Sequence, residues 1–338
     1  MKKTRIAING FGRIGRTFFR AAYREPSFEF AAINDLADAT TLAYLLKYDS
    51  VYGRFQDPVR AAGDTFEVGD MRVRVLKEKD PSRLPWKELE IDIVIEASGL
   101  FASYAKVKPH LDAGAKRVVI TAPADNEVVT ALIGVNDDRF AGAGQVTSNA
   151  SCTTNATAPV MAILHEALTI QKATMTTVHS YTATQRLVDG ADSKDLRRGR
   201  AGAVNIVPSS TGAAEAVIQA IPDLAGKFDA VSVRVPSITG SLSVISAHVG
   251  KKITREEVNR IFKNAAAEPR WKNVIKYTED PLVSSDIVGE PYAAIFDSLL
   301  TKVLDGDLVN VYSWYDNEAG YSATLMEHVR RVAQHIGS

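Results

Sequence analysis

The chain has 338 residues, 40 basic and 40 acidic side chains, and a formal net charge of zero. This balance excludes the strong positive field of a dedicated nucleic-acid or membrane-surface binder, so we expect neither as the main partner. The one cysteine cannot form an internal disulfide, and the sequence has no bilayer-length apolar run and no thiol-rich metal motif. We also expect no secretory leader. A cytoplasmic, two-domain protein without a metal is predicted.

The first half of the sequence predicts alternating strands and helices. Short β-branched runs bounded by turn or polar residues predict strands at 4–9, 29–34, 91–96 and 117–121. Residues 16–23, after the first run, have a helical composition. This alternation is typical of βαβ units, so we expect a Rossmann-type dinucleotide-binding domain with a parallel sheet over residues 1–151.

The pattern changes after about residue 151. Longer β-rich runs follow, at 173–181, 228–236, 241–249, 293–304 and 309–314. They predict an α+β catalytic domain with a mainly antiparallel sheet over residues 152–318, which makes the fold class α/β. A C-terminal helix within 319–338, clearest at 319–336, is expected to pack back on the first domain and complete it.

Three glycines in the pattern GxGxxG follow the first predicted strand. Gly10, Gly12 and Gly15 allow a tight turn and the close approach of a pyrophosphate to the start of a helix. Asp35 ends the second predicted strand, where its carboxylate would bind the ribose hydroxyls and repel a 2′-phosphate. The alternative is three glycines in an ordinary turn, but the strand, helix and acidic residue favour a site for NAD rather than NADP.

Cys152 lies where a helix is predicted to begin. Unpaired backbone N–H groups at a helix start lower the pKa of a thiol and favour the thiolate, so Cys152 is a candidate nucleophile. A free cysteine is also often only a small buried hydrophobe. From its neighbours alone, both interpretations stay open.

A thiol in a dinucleotide-binding protein suggests aldehyde oxidation through a covalent thioester. Addition of sulfur to the aldehyde gives a hemithioacetal that can release hydride, and this step needs a base. His179 ends an apolar, threonine-rich strand and precedes a polar loop, so we expect it to be the base. We expect surface or core roles for the remaining histidines, which are His110, His165, His248, His328 and His335.

Several motifs together resemble the phosphorylating glyceraldehyde-3-phosphate dehydrogenase family over nearly the whole chain. They are Ser151-Cys152-Thr153-Thr154-Asn155, Thr176-Thr177-Val178-His179, Thr182-Ala183-Thr184-Gln185, Ser210-Thr211-Gly212-Ala213-Ala214, Arg234-Val235-Pro236 and Trp314-Tyr315-Asp316-Asn317-Glu318. The resemblance implies NAD-dependent oxidation of glyceraldehyde 3-phosphate with inorganic phosphate, by a homotetramer.

The resemblance also implies roles for individual residues. Cys152 is the implied nucleophile and His179 the implied base. The substrate phosphate is implied to bind Thr182, Thr184 and Arg234, and inorganic phosphate Ser151, Thr153, Arg198, Thr211 and Gly212, with some contacts shared between the two sites. The implied NAD contacts are Gly10, Gly12, Arg13 and Ile14 at the pyrophosphate, Asn34 and Asp35 at the ribose, Lys79 at the adenine, Thr121 in the crevice and Asn317 at the nicotinamide.

Some positions depart from the family pattern. Ala156 replaces a second cysteine that many members have, and Ala191 stands where NAD-preferring members often have proline, which leaves NADP use open. Erythrose-4-phosphate dehydrogenase is the enzymatic alternative, although it tends to alter the motifs around Thr182 and Thr211. A nucleic-acid or protein-binding role of the same fold is a further alternative. A cysteine hydrolase is another, but it has no use for the glycine motif or Asp35.

Overall fold

The computed structural model describes residues 3–193 and 195–336. The chain divides into two compact units. The first unit contains the chain up to Ala131, residues 137–150 and the chain from Leu325 onward, and the second contains residues 132–136 and Ser151–Thr324. The chain therefore passes from the first unit to the second after Ala131 and again immediately before Ser151.

The first unit is built around a nine-stranded sheet. The strands in this unit are β1 (Thr4–Asn9), β2 (Phe28–Asn34), β3 (Tyr48–Asp49), β4 (Gly53–Arg54), β5 (Val59–Ala62), β6 (Thr65–Val68), β7 (Met71–Leu76), β8 (Ile93–Glu96), β9 (Arg117–Ile120), β10 (Val129–Thr130) and β11 (Val146–Ser148). Its helices are α1 (Arg13–Ala22), α2 (Ala39–Lys47), α3 (Tyr104–Asp112) and α4 (Arg139–Gly142).

The strand order in this sheet is β10-β11-β9-β8-β1-β2-β7-β6-β5, and pairing is parallel from β10 to β7. Residues on these strands, such as Ile8 and Val94, are buried, as expected for a parallel sheet covered on both faces. Asn9 pairs in register with both Asn34 and Glu96, so three polar side chains share the carboxyl edge of the sheet. Ligands of such folds bind at this edge.

The second unit is built around an eight-stranded, mainly antiparallel sheet in the order β13-β14-β12-β15-β19-β17-β16, with β18 paired to β19. Its strands are β12 (Ile170–Ser180), β13 (Val207–Ser209), β14 (Phe228–Val235), β15 (Ser241–Val249), β16 (Ile275–Thr278), β17 (Ala294–Asp297), β18 (Lys302–Leu304) and β19 (Leu308–Tyr315). Its helices are α5 (Cys152–Leu168), α6 (Ala213–Ala220) and α7 (Arg255–Ala267), and α8 (Ala319–Gln334) begins in this unit and ends in the first.

The predicted α/β fold class, a Rossmann-type parallel sheet followed by a mainly antiparallel sheet, is confirmed. The parallel pair β12 and β14 aligns His179 with Arg234. Across the described residues, no helix combines the length and apolar character that a membrane span requires.

Several parts of the fold differ from the predicted pattern. The single run at 293–304 is two strands, because Asp297 accepts a hydrogen bond from the Leu299 N–H (3.1 Å) and forms a turn that interrupts it. Strands β5, β6 and β7 were not predicted; β7 is parallel to β2, and the antiparallel β6 and β5 extend the sheet beyond it at one edge.

Candidate active site

A cavity of about 290 Å³ lies at the carboxyl edge of the parallel sheet in the first unit. It brings together five of the residues predicted to hold the cofactor. These are Gly10, Gly12, Asn34, Asp35 and Lys79. The wall also includes Leu36, Leu100 and Phe101, so the cavity offers apolar surface beside polar groups, as a nucleoside requires.

The glycine turn at the cavity has the conformation that a dinucleotide site requires. Gly10 has a φ of +93°, and a Cβ there would lie 2.5 Å from the Ser98 backbone, so only glycine fits. A Cβ on Gly15 would lie 2.2 Å from the Gly10 carbonyl oxygen, so the close approach of α1 requires this glycine also. A Cβ on Gly12, in contrast, would meet no atom within 4 Å, which leaves space above the start of α1 for a ligand.

Two backbone N–H groups fix the position of the Asp35 carboxylate beside the same turn. Its Oδ2 accepts a hydrogen bond from the Phe11 N–H (2.8 Å) and its Oδ1 accepts one from the Ala37 N–H (3.0 Å). A carboxylate has about four lone-pair positions, so each oxygen keeps acceptor capacity for ribose hydroxyls.

The other predicted cofactor residues do not line this cavity. Arg13 and Ile14 form the first turn of α1, and the Arg13 side chain pairs with Asp49 (2.6 Å). Thr121 follows β9 and donates its hydroxyl to the Glu96 carbonyl (3.0 Å). Asn317 belongs to the second unit.

Cys152 is the first residue of α5. Ala150, two residues earlier, has a φ of +52°, and this left-handed conformation turns the chain sharply from β11 into the helix. Ser151 is the N-cap, and its hydroxyl accepts a hydrogen bond from the Thr154 N–H (3.0 Å). The sulfur therefore lies at the positive end of a 17-residue helix, where the backbone N–H groups of Cys152 and Thr153 hydrogen-bond to it.

The Sγ of Cys152 lies 3.4 Å from Nε2 of His179. The other ring nitrogen, Nδ1, is 2.6 Å from the Ser180 carbonyl oxygen, to which it can donate a hydrogen bond. In that tautomer Nε2 presents its lone pair to the thiol, as a general base requires. Nη1 of Arg234 also lies 2.7 Å from Nδ1 and 3.2 Å from the Ser180 carbonyl oxygen. A guanidinium can only donate, so in the tautomer with hydrogen on Nδ1 its hydrogen bond goes to that carbonyl and not to the ring.

Burial and a nearby cation control the protonation of this pair. Burial raises the pKa of the Cys152 thiol, and the positive charge of Arg234 acts in the opposite direction. Burial and then Arg234 lower the pKa of His179 to about 3. The helix terminus alone predicted a lowered thiol pKa; in the structure, burial is the largest influence and acts the other way.

The predicted anion-binding residues fall into connected groups in the second unit. The hydroxyls of Thr182 and Thr184 lie 2.9 Å apart. Arg198 donates to the Ser210 carbonyl (3.1 Å), which holds it beside the Thr211–Gly212 turn before α6. Burial lowers the pKa of Arg234, and the charge of Arg198 lowers it further, so the two cations are within electrostatic reach of each other.

Sequence reasoning missed a tyrosine beneath the thiol and histidine. The hydroxyl of Tyr315 lies 2.7 Å from Oγ1 of Thr177 and 3.1 Å from Oγ1 of Thr153, and its ring packs edge-on against His179. Its burial raises its pKa, so the phenol stays neutral. The only available signal was its place in the motif before Asn317.

The polar cluster around Asn317 was also missed. Oδ1 of Asn317 accepts hydrogen bonds from four donors at 2.9–3.3 Å, which fixes the orientation of its amide. The donors are the hydroxyls of Ser180, Thr239 and Ser241 and the Gly240 N–H.

A dinucleotide-type sheet with its glycine turn, followed by a unit that carries a cysteine beside a histidine, defines the class as an NAD-dependent dehydrogenase. Two family models match the chain, the NAD binding domain of glyceraldehyde 3-phosphate dehydrogenase over residues 4–104 and its C-terminal domain over residues 151–317. The chain belongs to the glyceraldehyde-3-phosphate dehydrogenase family, as its motifs predicted.

Relatives named glyceraldehyde-3-phosphate dehydrogenase are similar over almost their whole length. The protein from Thermotoga maritima is 52% identical, over 96% of this chain and 97% of the relative. The proteins from Mycobacterium avium and Geobacillus stearothermophilus are each 48% identical, over 98% and 97% of this chain and 99% and 98% of the relative.

Proposed function

We propose that this chain oxidises glyceraldehyde 3-phosphate with NAD and inorganic phosphate to give 1,3-bisphosphoglycerate. The observation that carries the proposal is the 3.4 Å separation between Sγ of Cys152 and Nε2 of His179, in a chain that also has a dinucleotide-binding unit. Hydride loss from an aldehyde gives an activated acid only if a nucleophile has first added to the carbonyl.

The residues at the first-unit cavity fit NAD. The open space above Gly12 and the start of α1 suit the pyrophosphate, and the backbone-anchored carboxylate of Asp35 suits an unmodified ribose. Asn34 and Lys79 would border the adenosine, and the amide nitrogen of Asn317 would donate to the nicotinamide carboxamide. Bound NAD supplies the hydride acceptor. We propose a preference for NAD over NADP, because Asp35 would repel a 2′-phosphate.

The first half of the reaction joins the substrate to the protein. Burial raises the pKa of Cys152 and lowers the pKa of His179, so both shifts favour the uncharged forms and a proton transfer that accompanies the attack. Sγ bonds to the aldehyde carbon while its proton passes to Nε2 of His179. The backbone N–H of Cys152, at the helix start, would stabilise the oxyanion. Oxidation of this hemithioacetal leaves a thioester.

The second half of the reaction releases the product. An oxygen of inorganic phosphate attacks the thioester carbon, the carbon–sulfur bond breaks, and the departing thiolate regains a proton by way of His179. Arg234, Thr182 and Thr184 would hold the substrate phosphate. Inorganic phosphate would bind the hydroxyls, backbone and guanidinium of Ser151, Thr153, Arg198, Thr211 and Gly212. A guanidinium with hydroxyls binds a dianion by charge-assisted hydrogen bonds.

We also propose that the working protein is a cytoplasmic homotetramer. The segment 187–206 has exposed apolar side chains, among them Leu187 (84% exposed) and Leu196 (85% exposed). Exposed apolar side chains of this kind are typical of a surface that becomes buried between subunits. A reducing compartment suits a chain whose proposed nucleophile is its only cysteine, since the thiol must stay reduced to react.

Initial rates on glyceraldehyde 3-phosphate, with NAD or NADP and with or without phosphate, test substrate, cofactor and acyl transfer together. We expect turnover that needs both NAD and phosphate. Higher kcat/KM with erythrose 4-phosphate would identify the erythrose enzyme instead. If neither aldehyde is turned over, the alternative of a nucleic-acid or protein-binding role remains. Hydrolysis of a substrate in the absence of NAD would indicate a cysteine hydrolase.

A further inference from the structure

A buried polar network lies beneath the cofactor cavity of the first unit. Glu96 ends β8 and His110 lies in α3, and they are only 2% and 0% exposed. Nε2 of His110 is 3.2 Å from Oε2 of Glu96. Burying a carboxylate costs free energy unless hydrogen-bond donors surround it, so the partners of Glu96 determine whether this arrangement is stable.

Four donors surround the Glu96 carboxylate. Oε2 accepts from Nδ2 of Asn9 (2.6 Å) and from His110, while Oε1 accepts from the N–H (2.9 Å) and the hydroxyl of Ser98. The indole N–H of Trp86 donates to Nδ1 of His110 (2.9 Å). Because an indole nitrogen can only donate, Nδ1 must accept, and Nε2 carries the hydrogen that binds Glu96.

The network continues from Glu96 to the cavity wall. Oδ1 of Asn9 accepts from Nδ2 of Asn34 (2.7 Å), and Oδ1 of Asn34 accepts from the backbone N–H of Glu78 (2.9 Å). Nδ2 of Asn34 also donates to the Glu78 carbonyl (2.8 Å). A carboxylate can only accept, so it determines which end of Asn9 faces it, and Asn9 in turn determines which end of Asn34 faces Glu78.

We propose that Glu96, held by His110 and Trp86, is a positioning residue for the cofactor. Its carboxylate orients the amides of Asn9 and Asn34, and these hold the segment Glu78–Lys79 against the adenosine part of the cavity. Glu78, Lys79, Asn9 and Asn34 all line that cavity. This inference deepens the proposed function, since it rests on the cavity being the NAD site.

The test is Glu96→Gln, which keeps the shape of the side chain but turns one acceptor into a donor that faces existing donors. We expect the Kd for NAD and for ADP-ribose, measured by calorimetry, to rise about tenfold. The KM for phosphate and kcat at saturating NAD should stay near the parent values. Hydrogen exchange of the backbone amide of Glu78 should accelerate, because Asn34 no longer holds it in one orientation.

A matched control distinguishes positioning from a general loss of stability. His328 is likewise 0% exposed in the first unit, but it bonds to Thr147 and Ala131 and not to the cavity. His328→Gln should lower stability and leave the Kd for NAD unchanged. If Glu96→Gln does not fold, Trp86→Phe removes the donor that orients His110 together with part of a buried ring, and it should weaken NAD binding about threefold.

Unchanged NAD and ADP-ribose binding in the Glu96 or Trp86 variant, or an equal loss in the His328 control, would overturn the positioning role. These binding measurements need no turnover. If the proposed reaction fails, the parent protein shows no turnover. The comparison of NAD binding between the variants and the parent stays valid in that case.

Discussion

Cys152 experiences two opposing influences at the residue scale. Its place at the start of α5 favours the thiolate, and Arg234 lowers its pKa, yet burial raises the pKa more strongly. His179 is kept neutral by the same burial and the same cation. The site is thus arranged so that a proton moves when the substrate arrives, and a histidine that keeps its lone pair can take it.

Removing the base should slow chemistry without unfolding the protein. We expect His179→Asn to reduce the single-turnover rate of NADH formation by roughly 10²–10⁴-fold, as is typical of a lost general base. Cys152→Ser should nearly abolish it, because a hydroxyl is a poorer nucleophile. His248, 45% exposed on its side chain, provides the control, since His248→Asn should keep the parent rate. Near-normal turnover in the His179 variant would refute the pairing.

Arg234 supplies a second prediction at this scale. Its charge lowers the pKa of Cys152, so Arg234→Ala should raise that pKa, reduce the thiolate fraction at a fixed neutral pH and slow iodoacetamide alkylation. No other cysteine competes for the reagent.

Both Arg234→Ala and Arg198→Ala should raise KM for the phosphorylated aldehyde or for phosphate while NAD binding is retained. Loss of NAD affinity with intact phosphate kinetics would contradict this assignment.

Asp35 should set the choice of cofactor. Asp35→Ala removes charged hydrogen bonds to the ribose and the repulsion of a 2′-phosphate, so NAD use should weaken by about 1–3 kcal/mol and the gap to NADP should narrow. The ratio of kcat/KM for the two cofactors measures this. Asp38, which caps the nearby α2 through the Thr41 N–H, is the control, because Asp38→Asn should not change the ratio. An unchanged ratio in the Asp35 variant would reject the role.

At the scale of elements, the first unit holds the end of α8 through a buried histidine. Nε2 of His328 accepts from the Thr147 hydroxyl (2.8 Å) on β11, and Nδ1 donates to the Ala131 carbonyl (3.1 Å). Burial lowers the pKa of His328 to about 3. The imidazole is therefore neutral in the folded protein over most of the pH range.

The sign of the pH effect follows from this lowered pKa. The unfolded chain binds a proton at His328 near pH 6.5 and the folded chain near pH 3, so the contribution is fully present above pH 6.5 and is lost as the pH falls toward 3. Urea unfolding of the parent between pH 7 and 4 should show a loss of up to about 1.4 kcal/mol per pH unit from this group. His328→Gln should reduce that slope, while His335→Gln, at a half-buried position near the end of the chain, should retain it. Equal slopes in all three proteins would contradict the prediction.

For the whole molecule, the exposed apolar side chains of residues 187–206 predict association. Leu196 is 85% exposed, and Val188 and Val204 are 76% and 75% exposed. If this loop forms the proposed tetramer interface, Leu196→Asp should shift the sedimenting species to a smaller size, since burial of an unpaired charge is strongly unfavourable. Circular dichroism should show an intact fold. A parent protein that sediments as a monomer would reject the assembly.

The strands and their limits were only partly predictable from the sequence. Strands β1 and β15 begin and end where their alternation predicted, because local β-branched content and bounding turns determine such limits. The edge strands β5 to β7 gave weak local signals. Asp297 interrupts a run that reads as one strand, and this depends on its bonds to the Leu299 N–H and the distant Trp314 indole.

The sequence by itself determined the local chemistry: a glycine turn followed by Asp35, and a lone cysteine at a helix start. Such features depend on turn geometry and helix termini within short stretches of chain, and they can be read without any partner. Tertiary structure alone decided which distant groups meet. The parallel pairing of β12 with β14 brings Arg234 to His179 across 55 residues, and Tyr315 reaches Thr177 across 138. Strand order and register determine those contacts, and they come from packing of the whole core rather than from any local stretch of sequence.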